Sequence, residues 1–192
     1  MKPLPQLIAL CGHPTSGKST AAECLQGLEG YHLVDDGKPL REIAKSYFGL
    51  THDQVYTQAG KLEEVELNGR TWTVREILGE LGNAFEEKFG GDIIPIMSHN
   101  SLPVGQLSVF GSVRREQGAY WRKHGALVIE IVNPLAGPSP YAFDRYNPAH
   151  CHYSIINEPP AGGFAANPVT ARAELGIKLA HVLREWRLGR LS

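Results

Sequence analysis

Apolar residues along the chain follow two alternating patterns. Short runs at Leu7-Ile8-Ala9-Leu10-Cys11, Tyr31-His32-Leu33-Val34, Leu107 to Phe110, Ala126 to Val132 and Tyr153-Ser154-Ile155-Ile156 predict strands. The most continuous of them have the character of strands buried on both faces. Between the runs, apolar residues recur three or four apart, as in amphipathic helices. One such stretch starts near Lys18 and carries Ala21, Leu25 and Leu28 on a stripe. A second is opened by Pro39, with Leu40, Ile43, Ala44 and Tyr47 on one face and Gly49 as its stop. Thr51-x-x-Gln54 and Thr73-x-x-Glu76 are capping boxes. The first caps a short helix, and the second a helix facing inward with Ile77, Leu78, Leu81 and Phe85 and ended by Gly90-Gly91. Asn68-Gly69 between them predicts a tight hairpin turn. A helix from about Arg114 to His124 joins two strands, and Asn167-Pro168 opens a closing helix with Leu175, Leu179, Val182, Leu183 and Trp186 inward. Strands alternating with helices in this way predict a three-layer α/β fold with a mainly parallel sheet.

Composition narrows the picture. The 192 residues suit one domain, with room for a small inserted subdomain, and 19 Lys plus Arg against 20 Asp plus Glu leave a formal charge of −1. That balance argues against a protein that coats nucleic acid or an anionic membrane, while leaving room for a local cluster of cations. No apolar run approaches a membrane span, and the opening residues do not read as a signal peptide. Cys11, Cys24 and Cys151 lack CxxC spacing and predict reduced thiols in a cytoplasmic protein. His150-x-His152 beside Cys151 is too short a cluster for a zinc site without a second ligand pair.

One motif carries clear chemistry. Gly12-His13-Pro14-Thr15-Ser16-Gly17-Lys18-Ser19 is G-x-x-x-x-G-K-S, set directly after a buried strand and before a helix. Glycines let such a loop turn its backbone N–H groups toward phosphate oxygens, and the helix adds the positive end of its dipole. Lys18 is then the residue for the β- and γ-phosphates of ATP, and the Ser19 hydroxyl the ligand for Mg²⁺. Thr20 completes the nucleotide-binding set. No N-K-x-D is present to read guanine. Asp35 and Asp36 close the second strand at the edge where ligands of such sheets bind, and Glu130 reads as a solvent-facing strand residue. Arg41, Arg75, Arg114 and Arg115 sit at helix starts or strand ends, where cations can neutralise a transferring phosphoryl group.

With the P-loop in place, the order of weaker motifs resembles the bacteriophage-type deoxynucleoside monophosphate kinases, within the P-loop nucleoside monophosphate kinases. Gly37-Lys38-Pro39-Leu40-Arg41-Glu42, Trp72-Thr73-Val74-Arg75 through Leu81-Gly82, Val113-Arg114-Arg115, Gly125 to Pro134 and Ile155-Ile156-Asn157 carry the likeness. The resemblance implies a P-loop NTPase fold with about five strands and helices on both faces. It implies a single kinase domain over 1–192, an acceptor-binding helical region at about 38–104 and a candidate lid at about 133–151. It also implies transfer of the γ-phosphoryl of ATP to a (deoxy)nucleoside monophosphate, with Mg²⁺ as cofactor. Lys18, Arg114 and Arg115 would be catalytic, Asp36, Arg41 and Arg75 would bind the acceptor, and Asn157 would lie near the adenine. Trp72, Phe85 or Tyr47 would border the acceptor base. Ser112 stands where the family has an acid, and Asn133 where it often has arginine. Two other readings stay open: a P-loop kinase for another small metabolite, and a nucleotide-binding protein with little catalysis. Neither a membrane nor stable nucleic-acid binding is expected, and a homodimer is left open.

Overall fold

The computed structural model describes residues 1–191, which divide into two units, 1–35 with 101–191 and 36–100. In the first unit, β1 (Leu7–Cys11), β2 (His32–Val34), β5 (Ser108–Phe110), β6 (Leu127–Val132) and β7 (Tyr153–Ile156) form one sheet. Its order is β2-β5-β1-β6-β7, and every pairing is parallel. Helices α1 (Lys18–Glu29), α6 (Gln117–Lys123) and α7 (Pro168–Arg187) cover it.

Period-two alternation assigns the faces. Ile8, Leu10, Leu127, Ile129 and Ile131 join one cluster with Leu25 of α1 and Leu175, Leu179 and Val182 of α7. Ala9, Cys11, Phe110 and Val128 join another with Tyr120 and Trp121 of α6. Trp121 stacks on Phe110 with ring centroids 3.9 Å apart, which locks α6 onto its face of the sheet. The protein is thus a three-layer α/β fold with a parallel five-stranded sheet and helices on both faces.

The sheet order has a consequence for the acids. β5 stands between β2 and β1, so Asp35 closes the second strand away from β1. The segment after β5 lies next to β1 instead, with Val113 N–H donating to the Leu10 carbonyl at 3.1 Å.

Helix α6 starts later than its sequence suggests. Arg115 has φ +46, a left-handed conformation that interrupts a right-handed helix, and α6 begins only at Gln117. The Gln117 side chain accepts from Arg114 N–H at 3.1 Å, satisfying a donor at that break. Tyr31 falls just outside β2 yet is fully buried, its hydroxyl donating to the Pro5 carbonyl at 2.6 Å.

The second unit contains α2 (Lys38–Phe48), α3 (His52–Tyr56), a 3₁₀ turn at Gly60–Leu62, the hairpin β3 (Glu64–Leu67) and β4 (Arg70–Thr73), α4 (Val74–Phe89) and α5 (Ile93–Asn100). Both capping boxes form: Thr51 with Gln54 opens α3, and Thr73 with Glu76 opens α4. Asn68 and Gly69 both have positive φ, the geometry of a type I′ hairpin turn. Ala44, Leu50, Val55, Val74 and Ile77 make this unit's core. Helix α5 is the element the pattern does not predict, because Ile93-Ile94-Pro95-Ile96 is apolar without a stripe.

Candidate phosphate-binding site

The loop from Gly12 to Gly17 joins β1 to α1 at the carboxyl edge of the sheet. Its first residue has φ +147, and a Cβ there would collide with the Ile131 carbonyl oxygen and the Ser16 hydroxyl. Its last has φ +102, and a Cβ there would collide with the Asn157 amide. Both positions therefore require glycine, for conformation and for space. Thr15 is also left-handed, at φ +64. Ser16 N–H donates to the His13 carbonyl at 3.2 Å, closing the loop.

Lys18 is the first residue of α1, and its ammonium donates to the Gly12 and His13 carbonyls, each at 2.8 Å. The lysine is thus held over the loop rather than extended into solvent. Ser19 is exposed, and Thr20 is half-buried. The Ser16 hydroxyl is buried and has no hydrogen-bond partner among the described residues. His13 packs edge-on against Tyr146, with centroids 5.3 Å apart.

The carbonyl side of the loop is tied to the neighbouring strands. Asn157, just past β7, donates from its side-chain amide to the Ser16 carbonyl at 2.9 Å. Asn133, just past β6, does the same to the Thr15 carbonyl at 3.3 Å. A cavity of about 270 Å³ opens beside these contacts, lined by Thr15, Gly17, Asn133, Asn157, Phe164 and Arg172 among others.

Two of the arginines flank the same sheet edge from the segment after β5. Arg114 pairs with Asp144 at 3.4 Å. The Arg115 backbone is clamped on both sides, its N–H donating to the Arg145 carbonyl at 2.6 Å and its carbonyl accepting from Asn147 at 3.0 Å. Glu116 adds bonds to Asn147 and His150, the latter at 2.6 Å, and these bonds hold its carboxyl below the usual range. Residues 144–150, within the candidate lid, are therefore stapled to 114–116. Ser112 is half-buried in this segment.

Glu130 corrects an expectation. It does not face solvent freely: its carboxylate accepts from Tyr146 at 2.7 Å and from Ser154 at 2.5 Å. Burial and this acid push the Tyr146 phenol well above its ordinary value. Cys11 and Cys151 belong to the same apolar cluster, on one side of the sheet. The neighbouring Cys151 thiol and burial raise the Cys11 thiol, while the neighbouring Cys11 lowers the Cys151 thiol. Among the described residues, no cluster of three His, Cys, Asp or Glu side chains could hold a metal ion. No described helix is long and apolar enough to cross a membrane.

The remaining expected site residues belong to the second unit. Asp36 is buried, and its carbonyl accepts from the Ser98 hydroxyl at 3.3 Å. The Arg41 guanidinium lies over the Tyr56 ring at 5.2 Å, beside Gly37. Arg75 donates to Gln58 at 2.9 Å. Trp72 packs against the unit's core under Arg70, Phe85 lies 5.9 Å from Phe89, and Tyr47 is largely exposed. The first unit thus gathers the loop, Lys18, Asn157, Arg114 and Arg115, and the second holds Asp36, Arg41 and Arg75. The sequence reading missed Asp144, Tyr146 and the loop contact of Asn133. Only Asn133 had a signal, an Asn-Pro directly after a buried strand.

No family model matches the chain, and no curated protein matches it. Among solved structures it is similar to the dephospho-CoA kinase from Campylobacter jejuni, at 15% identity and a TM-score of 0.44. The match covers 97% of this chain and 99% of that one. A likeness of that size carries nothing about substrate or chemistry.

Proposed function

We propose that this protein is an ATP-dependent kinase that transfers the γ-phosphoryl group of ATP to a (deoxy)nucleoside monophosphate. The observation that carries the reading is the Gly12–Ser19 loop. Two of its positions admit no Cβ, its lysine is drawn over its own carbonyls, and a twelve-residue helix starts at its end. Such a loop suits a phosphate chain, which takes backbone N–H donors, a helix N-terminus and one mobile ammonium. The lysine would exchange its two carbonyl acceptors for phosphate oxygens.

In transfer, the bond from the γ-phosphorus to the β–γ bridging oxygen breaks, and one forms to an acceptor phosphate oxygen. That oxygen is already anionic, so no strong general base is assigned. Catalysis then consists of positioning and of charge neutralisation by Lys18, Arg114 and Arg115. Asp36, Arg41 and Arg75 are assigned to the acceptor. Mg²⁺, when bound, neutralises phosphate charge. The Ser19 hydroxyl, exposed one residue after Lys18, fits it as a hard oxygen ligand. The cavity beside Thr15, Asn133 and Phe164 is assigned to the adenine, with Asn157 in its wall.

Ser112 favours a second reading, a nucleotide-binding protein with little catalysis, since a hydroxyl brings no charge to the strand end beside β1. Calorimetry with Mg²⁺·ATP on wild type and Lys18→Ala tests the loop assignment. Binding that falls at least tenfold in the variant supports it, and equal binding removes it.

A further inference from the structure

We propose that Asn157 and Asn133 are positioning residues that set the backbone of the phosphate-binding loop, so that Asn157 acts on the phosphate chain rather than on the base. The inference rests on the kinase reading and deepens it.

A loop that turns its N–H groups toward a phosphate leaves its carbonyls to find donors elsewhere. Here two successive carbonyls are supplied by two side-chain amides: Thr15 by Asn133 at 3.3 Å, and Ser16 by Asn157 at 2.9 Å. The asparagines come from corresponding places. Asn133 follows β6 directly and Asn157 follows β7 directly, and Asn157 N–H extends the β6–β7 ladder by donating to the Val132 carbonyl at 2.7 Å. The Asn133 side-chain oxygen in turn accepts from Leu135 N–H at 2.9 Å, which fixes its orientation.

Asn157 is buried, and its amide nitrogen occupies the space that a Cβ on Gly17 would need. Glycine at 17 and asparagine at 157 therefore fit as a pair. The amide reaches the loop only because position 17 has no side chain, and it fixes the carbonyl two residues before the first residue of the helix. Thr15, left-handed without being glycine, is held at the same point by the other amide.

Inorganic tripolyphosphate separates this role from base recognition, because it has the phosphate chain without base or ribose. Calorimetry would compare Mg²⁺·ATP and Mg²⁺·tripolyphosphate on wild type, Asn157→Ala, Asn157→Asp and Asn133→Ala, each checked for native circular dichroism. The expected result is that Asn157→Ala weakens both ligands by the same factor, about tenfold, the scale of one lost buried hydrogen bond. Asn157→Asp, which sets an acceptor against the Ser16 carbonyl, weakens both by more. Asn133→Ala weakens both by about two- to threefold, as suits a longer and more exposed bond. Loss of ATP affinity with unchanged tripolyphosphate affinity overturns the inference in favour of a base contact. Unchanged binding of both ligands overturns it as well. Wild-type protein that binds neither ligand overturns the kinase reading beneath it, which is a separate and recognisable outcome. If the Asn157 variants do not fold, the half-exposed Asn133→Ala decides by the same comparison.

Discussion

Arg114 and Asp144 face each other at 3.4 Å, with the carboxylate only 8% exposed and the guanidinium 40% exposed. The second carboxylate oxygen accepts from the Ser139 hydroxyl at 3.0 Å. The pair joins the segment after β5 to residues 139–144, and it holds an arginine assigned to the transferring phosphoryl. Asp144→Ala is expected to lower stability by about 1–2 kcal/mol, between the cost of an exposed pair and that of a buried one. A double-mutant cycle with Arg114→Ala, read by urea denaturation, should give a coupling of about 0.5–1 kcal/mol. Additive losses would mean that the pair is not energetically linked.

His152 supplies a pH dependence. Its Nδ1 accepts from Val128 N–H at 3.0 Å, which requires a neutral ring. Burial, then the Arg122 charge, depress its pKa. A group depressed in the folded state contributes stability above its unfolded pKa, near 6.5, and loses it as pH falls through the folded value. Denaturation midpoints should therefore fall between pH 7.5 and 5.5, and His152→Gln should flatten that slope. An unchanged slope in the variant would assign the dependence to other groups.

The thiols should differ in reactivity. The neighbouring Cys11 favours the Cys151 thiolate, whereas Cys11 is raised by that neighbour and by burial, and Cys24 by burial. Cys151 is also less buried than the other two. Iodoacetamide near pH 8, followed by peptide mass spectrometry, should label Cys151 first. Faster labelling of Cys24 would contradict the pairing.

The cap on α4 gives a local test. Thr73 Oγ accepts from Glu76 N–H at 3.2 Å, and Glu76 accepts from Thr73 N–H at 2.8 Å. Thr73→Ala should cost about 1 kcal/mol, the ordinary loss for an N-cap, measured by thermal or urea unfolding. The bonds to Thr73 lower the Glu76 pKa, so its contribution is present above the unfolded carboxylate range and fades as pH falls below it.

Features fixed by near neighbours were legible in the sequence. β1 falls on Leu7–Cys11 as its apolar run predicts, and both capping boxes and the Asn68-Gly69 turn form where four-residue patterns place them. The phosphate-binding loop is of the same kind, since its glycines are demanded by backbone within and beside it. What stayed hidden depends on distant chain segments. No local pattern states that β5 separates β2 from β1. Glu130 looked solvent-facing because its two donors, Tyr146 and Ser154, lie 16 and 24 residues away. Asn157 suggested a base contact by family resemblance, and its bond to Ser16 spans 141 residues. The late start of α6 turns on one left-handed arginine, a conformation that residue type does not announce.

The most direct measurement is acceptor-dependent ADP release from Mg²⁺·ATP, in a coupled assay over a panel of ribo- and deoxynucleoside monophosphates and non-nucleotide acceptors. The kinase proposal predicts turnover with at least one nucleoside monophosphate, formation of the matching diphosphate, and loss of both in Lys18→Ala. Turnover only with a non-nucleotide acceptor, or ATP binding without acceptor-dependent ADP release, would contradict it.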